Sequence, residues 1–182
     1  MGAKTMLTVE QFEQLPETEG VSFELDEGEL IEVPSAILDH NDIRDKLVFL
    51  VRLFIAAKPG RGFAVSEQDF RLAKDTVRRP DLAFISPENL GRLDRQRSIQ
   101  QFAPDLAIEV TSPSDTLKSL NRKTKQYLKA GTKAVWLVVP EMREVHIHST
   151  DARPRILTAD ENLEDPTLLP GFAAPVASLF ED

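Results

Sequence analysis

The stretch PDLAIEVTSPSD, residues 104–115, decides how the rest of the chain is read. It enters through a proline, runs through a short apolar segment and leaves in a serine- and proline-containing turn signal. Such a run reads as a buried strand, yet Glu109 stands in its middle. A buried carboxylate is costly unless a cation or hydrogen-bond donors meet it. Side chains two apart on a strand share a face. Asp105, Ala107, Glu109 and Thr111 therefore point one way, and Leu106, Ile108 and Val110 the other. The second set is the core face. The first is a lane of small and acidic residues, a suitable floor for a hard cation.

The same four opening letters recur in PDLAFI, residues 80–85, and put Asp81 at the mouth of another strand. If the two strands are sheet neighbours, Asp81 and Glu109 form a ligand pair. Magnesium takes carboxylate oxygens and keeps several waters, so two acids suffice where phosphate completes the shell. The turn SPSDT then caps a helix over 116–130. On a wheel of about 100° per residue, Leu117, Leu120, Thr124, Tyr127 and Leu128 gather on one side. Lys118, Arg122, Lys125 and Lys129 gather opposite, as a solvated face. Lys123 belongs to neither group. It lies at the edge of the apolar stripe one turn before Tyr127, where it can reach back to the acidic lane. An amine there orients or deprotonates a water, or stabilises charge on phosphate.

Working outward, TVEQFEQLP predicts a short helix capped by Thr8, and VSFELDEGELIEVP a hairpin turning at Asp26-Glu27-Gly28. Residues 39–58 carry Ile43, Leu47, Leu50 and Phe54 at helical spacing and stop at Pro59-Gly60. GFAVSEQDFRL predicts a strand pair, residues 86–103 a polar, arginine-containing mobile loop, and KAVWLVVP and REVHIHS two closing strands before a proline-rich tail. Strands mixed with helices give an α/β fold, a mixed sheet flanked by helices. The 182 residues fit one domain, 1–182. No cysteine is present, which excludes disulfides and thiolate chemistry, and no apolar run approaches the roughly 18 residues of a membrane span. The amino-terminal MGAKTMLTVEQFEQL lacks an apolar signal core, and the absence of cysteine fits a cytoplasmic protein. A net charge of −8 disfavours a polyanionic partner as a whole-molecule argument, but local charge decides.

A PD aspartate, a second acid and a lysine resemble the PD-(D/E)XK nuclease superfamily, and more specifically the Uma-two family of restriction-endonuclease-like proteins. The resemblance runs through TVEQFEQLP, FELDEGELIEV, His40 before the long helix, RRPDLAFI, PDLAIEVTSPSD, KTKQYLKAG and VWLVVP. It implies a restriction-endonuclease-like mixed β-sheet flanked by helices, hydrolysis of phosphodiesters in nucleic acid, DNA foremost, with Mg2+ (or Mn2+), and a homodimer. Carried over, Asp81 matches the PD aspartate and Glu109 the second acid. The superfamily lysine position holds Thr111 instead, and the Uma-two-like lysine four residues before a helical tyrosine falls on Lys123. Glu24 matches an acidic position near the amino terminus. The expected catalytic set is Glu24, Asp81, Glu109 and Lys123, with Asp81, Glu109 and, by strand parity, Asp105 as metal ligands; Asp105 could equally cap the strand entry.

Other residues carry weaker readings. His40, beside Asp39 and Asn41, serves either the site or a helix cap. His146 and His148 lack a third ligand and read as strand residues facing solvent. Ser112 and Ser114 sit in no G-x-S-x-G elbow and read as turn chemistry. Arg78, Arg79 and the arginines of 92–97 are either a phosphate-binding rim or a solvated loop. Two functional alternatives stand beside the metal-dependent endonuclease. One is a non-catalytic nuclease-fold module for protein interaction or assembly, which the charge of −8 and Thr111 favour. The other is a hydrolase for a smaller phosphate compound.

Overall fold

Thr8 starts the first helix, α1 (Val9–Glu13), through a capping box: its hydroxyl accepts from the Gln11 N–H, and the Gln11 side chain accepts from the Thr8 N–H. The computed structural model describes residues 6–16 and 18–181. The hairpin follows as β1 (Ser22–Asp26) and β2 (Glu29–Val33), joined by Glu27 and Gly28 with φ of 51° and 87°. Positive φ at both loop residues matches the twist of a two-residue hairpin, and Gly28 carries the more extreme value without a Cβ penalty. The long helix α2 (Leu38–Ala56) buries Ile43, Leu47 and Val51, with Leu50 and Phe54 packed at the edge of the core.

Two sheets organise the rest. Strands β3 (Phe63–Ser66), β4 (Asp69–Ala73), β5 (Thr76–Arg78), β6 (Leu82–Ile85), β7 (Ile99–Gln100) and β8 (Leu106–Val110) precede the helix α3 (Leu117–Lys129). After it come β9 (Ala134–Val139), β10 (Glu144–Ser149), β11 (Arg155–Leu157), β12 (Asn162–Leu163) and β13 (Ala174–Pro175). The five-stranded sheet runs β2-β1-β5-β4-β7 and the six-stranded sheet β11-β10-β9-β8-β6-β3; β12 and β13 pair separately. Both larger sheets are mixed, since β4–β7 and β8–β9 are parallel and their other pairs antiparallel. The parallel pair β8–β9 is joined by α3, a crossover that antiparallel strands would not need.

Strand β8 is buried on both faces, as its two residue sets require. Leu106, Ile108 and Val110 join the main core around Trp136 and α2, while Ala107 packs under α3 against Tyr127, Val135 and Leu137. α3 sits over the acidic lane because Thr116 caps it in a reciprocal pair with Ser119 and because Tyr127 and Thr124 are buried beneath it.

Four expectations need correction. GFAVSEQDFRL forms two strands, β3 and β4, that do not pair with each other. Glu67, at φ 52°, turns the chain from one sheet to the other. The short β5 adds a strand that the sequence pattern does not announce. Residues 86–103 are not a featureless loop: they hold a 3₁₀ helix over Pro87–Arg92, the strand β7 and the buried Phe102. Leu117, placed on the apolar side of its helix, is 82% exposed because it lies in the first turn, beyond the sheet that α3 covers.

Candidate active site

Asp81 sits where the chain leaves β5 in one sheet for β6 in the other. Strands β6 and β8 are antiparallel neighbours, so Asp81 at the start of one lies beside Val110 at the end of the other. Its Oδ2 accepts from the Val110 N–H at 2.7 Å, and its Oδ1 lies 2.9 Å from His40 Nε2. Glu109, one residue earlier on β8, is buried on the face opposite the main core. The Tyr127 hydroxyl donates to its Oε1 at 2.8 Å, and Lys123 Nζ lies 3.3 Å from its Oε2.

Lys123 also lies 3.3 Å from Glu24 Oε2, so one ammonium bridges carboxylates from β8 and β1. Glu24, 2% exposed, is held further by the Arg78 guanidinium at 2.8 Å and the Arg79 N–H at 3.0 Å. Arg78 itself is buried against Asp26 at 2.8 Å, and Gln126 accepts from it and donates to Asp26. These groups open onto one cleft of about 720 Å³, whose lining includes Glu24, His40, Asp81, Glu109 and Lys123.

The electrostatics follow from two carboxylates, Glu24 and Glu109, meeting one ammonium, with Asp81 close enough to act on Glu109. Burial pushes the Glu109 carboxyl up to about 7; the nearby Glu24 and Asp81 charges add to this, while Lys123 and the Tyr127 hydroxyl oppose it. Burial also acts to raise Glu24, but Lys123 and Arg78 outweigh it and hold that carboxyl below its ordinary value. Burial works against the Lys123 charge, yet Glu109 and Glu24 raise its pKa above the ordinary lysine value. Lys123 is therefore an ammonium at neutral pH, a donor and not a base. The hydrogen bond to Asp81 raises His40, against the effect of burial.

The sequence expectation that Glu24, Asp81, Glu109 and Lys123 share one place thus meets a single cleft holding all four. Asp105 does not join them. Its carboxylate accepts from the Ser86 N–H at 2.8 Å, from Asn89 and from Lys133 at 3.0 Å, at the other end of β8. It is a structural anchor, and its expected role as a ligand is withdrawn. Arg92 and Arg95 lie over the rings of Phe102 and Phe63, and Arg97 pairs with Asp94, so they form no rim to the cleft. His146 pairs with Glu144. Two contributors exceed what the sequence pattern gives them: Tyr127 reads there as apolar and as a marker for Lys123, and Arg78 as rim or solvated loop. Of the two readings of His40, the cap fails, since the N-cap of α2 is Ile37, and the side chain contacts Asp81.

The sequence profile of the Uma2 family, described as "Putative restriction endonuclease", matches residues 9–177. The chain belongs to the Uma2 family. A crystal structure of a "putative nuclease belonging to DUF820" from Anabaena variabilis superposes on this Uma2 chain with a TM-score of 0.84. It is 23% identical and covers 96% of this chain and 97% of that one, a likeness that shows the restriction-endonuclease-like fold. No curated protein matches. Uma2 membership supports a nuclease function. No described helix of this Uma2 chain is long and apolar enough to cross a membrane.

The donor set suits a divalent cation of the magnesium type. Asp81 and Glu109 face one cleft and their oxygens have lone pairs beyond the hydrogen bonds they accept, and a bound cation would favour the ionised form of Glu109 that burial disfavours. Among the described residues no three carboxylates or imidazoles form a ready-made cage. Such a set therefore needs water or phosphate oxygens to complete a shell.

Proposed function

We propose that this protein is a magnesium-dependent endonuclease that hydrolyses phosphodiester bonds of nucleic acid, DNA foremost, with Mn2+ able to replace Mg2+. The single observation carrying the proposal is the Lys123 ammonium bridging Glu24 and Glu109 in the cleft that Asp81 also lines. Asp81 and Glu109 would hold the cation, which supplies a lowered water pKa and a polarised phosphoryl oxygen when bound. Val110 N–H and His40 orient the Asp81 carboxylate; Tyr127 orients that of Glu109. Lys123, kept charged by its two carboxylates, donates to the attacking water or to the phosphoryl oxygens as charge develops there. Glu24, itself gripped by Arg78, holds that ammonium in place from the neighbouring sheet.

Lys123 also answers the objection raised by Thr111, because only the ammonium has to reach the site. A non-catalytic module accounts for Thr111 and the net charge of −8, but not for a buried charged set that faces an open cleft. The test is cleavage of supercoiled plasmid and of oligonucleotides with Mg2+ or Mn2+. The wild-type chain cuts, and Asp81→Ala and Glu109→Ala do not while keeping their circular dichroism spectra. A wild-type chain that cuts nothing with either metal, and gives no saturable heat when titrated with them, leaves the non-catalytic module.

A further inference from the structure

We infer that the outer face of α3 is a track for the phosphate backbone of duplex DNA, leading into the cleft; the inference rests on the nuclease reading above. The charge distribution is the first ground. α3 holds Lys118, Arg122, Lys123, Lys125 and Lys129 and no carboxylate. Subtracting those five cations from a net −8 leaves −13 for the remainder of the chain. A helix of that sign on a chain of the opposite sign gives a polyanion one favourable approach.

The second ground is continuity of surface. Lys118 and Arg122 line the catalytic cleft and also a shallow depression that continues along α3 past Asn121, Lys125 and Lys129. Lys123, one residue from Arg122, points the other way into the carboxylate cluster, so a strand lying on the outer face reaches the reacting groups at the helix edge.

The third ground is that the charges are free to act. Arg122 is committed to Asp26 and Glu27, at 3.3 and 2.9 Å. Lys118, Lys125 and Lys129 are exposed and make no ion pair with any described residue. A helix face laced with i,i+4 acids would have neutralised them. From Lys118 to Lys129 the helix rises about 16 Å, against about 3.4 Å of duplex axis for each phosphate of one strand, so a face aligned with that axis is as long as roughly five base pairs. Three free lysines on such a span contact phosphates without reading bases, which sets register and affinity but no sequence preference.

The test compares the wild-type chain with Lys118→Ala/Lys125→Ala/Lys129→Ala by anisotropy of a labelled duplex in EDTA, which keeps cleavage out of the measurement. Alanine favours the helix, so the variant keeps α3. Losing three phosphate contacts makes the slope of log affinity against log salt shallower by roughly 2.7, which removes about 40-fold of the affinity loss between about 50 and about 200 mM KCl. Lys58→Ala/Arg153→Ala/Arg155→Ala, with the same change in net charge on other elements, leaves the slope unchanged. An unaltered slope in the α3 variant, an equal change in both variants, or no salt-dependent binding by the wild-type chain overturns the inference. A wild-type chain that binds through α3 yet cuts nothing with Mg2+ or Mn2+ keeps the track and removes the nuclease reading.

Discussion

Replacing Glu109 by glutamine keeps the side chain's shape and deletes one buried ionisable group. Burial, with Glu24 and Asp81 nearby, lifts that carboxyl from 4.5 to about 7 in the folded chain. Between those values the native state holds a proton that the unfolded state has released. Wild-type stability therefore falls as pH rises through the window, by about 3 kcal/mol in all, at roughly 1.4 kcal/mol for each pH interval of one across it. The glutamine chain lacks this loss. His40, raised by Asp81, loses its own contribution in the same direction, but it titrates in both chains and largely cancels in their difference. Near the acid end both side chains are neutral, since Glu109 still holds its proton there, so the two chains start close together. The two stability curves accordingly separate as pH rises, with the glutamine chain the more stable toward the alkaline end. Urea unfolding in EDTA at fixed ionic strength, from about pH 4.5 to about pH 8.5, measures both. A stability difference that stays constant across that range refutes the reasoning, since Glu109 would then ionise as an ordinary exposed acid.

Three further outcomes are expected. Lys123→Met lowers single-turnover cleavage at least about 100-fold with the fold intact by circular dichroism, the scale of loss of one positioned electrostatic donor. Arg78→Met leaves Glu24 and Asp26 without their buried partner and lowers unfolding free energy by about 3–5 kcal/mol in denaturant titrations. Magnesium raises the melting temperature of the wild-type chain, by the equivalent of about 2.7 kcal/mol at a hundredfold excess over its dissociation constant, and has no such effect on Asp81→Asn by calorimetry.

The parts of the site legible in the sequence are those governed by backbone geometry. Period-two alternation puts Glu109 opposite the Leu106, Ile108 and Val110 core face, and the helical wheel puts Lys123 at the margin beside Tyr127. Parity fails for Asp105 because it fixes a face and not a place: four residues along a strand are about 13 Å, enough to move that carboxylate to Ser86 and Asn89. Arg78 looks like surface charge because its partners Glu24 and Asp26 lie far away in sequence, on a strand of the same sheet. Residues 86–103 look loose because their order comes from hydrogen bonds, not apolar periodicity. There the Gln100 amide accepts from the Asp94 N–H and donates to the Asp94 and Arg97 carbonyls. Strand β5 is three residues long, too short for alternation to register.

Lys123 clasps one acid from each of the two large sheets, and Asp81 stands on the chain passing between them. A polypeptide in which only one sheet has formed, such as a nascent chain or a truncated fragment, owns the individual residues but not their meeting point. The proposed reactivity is thus an attribute of the completed docking, and a mutation that loosens the seam between the sheets is expected to abolish cleavage before it unfolds the chain.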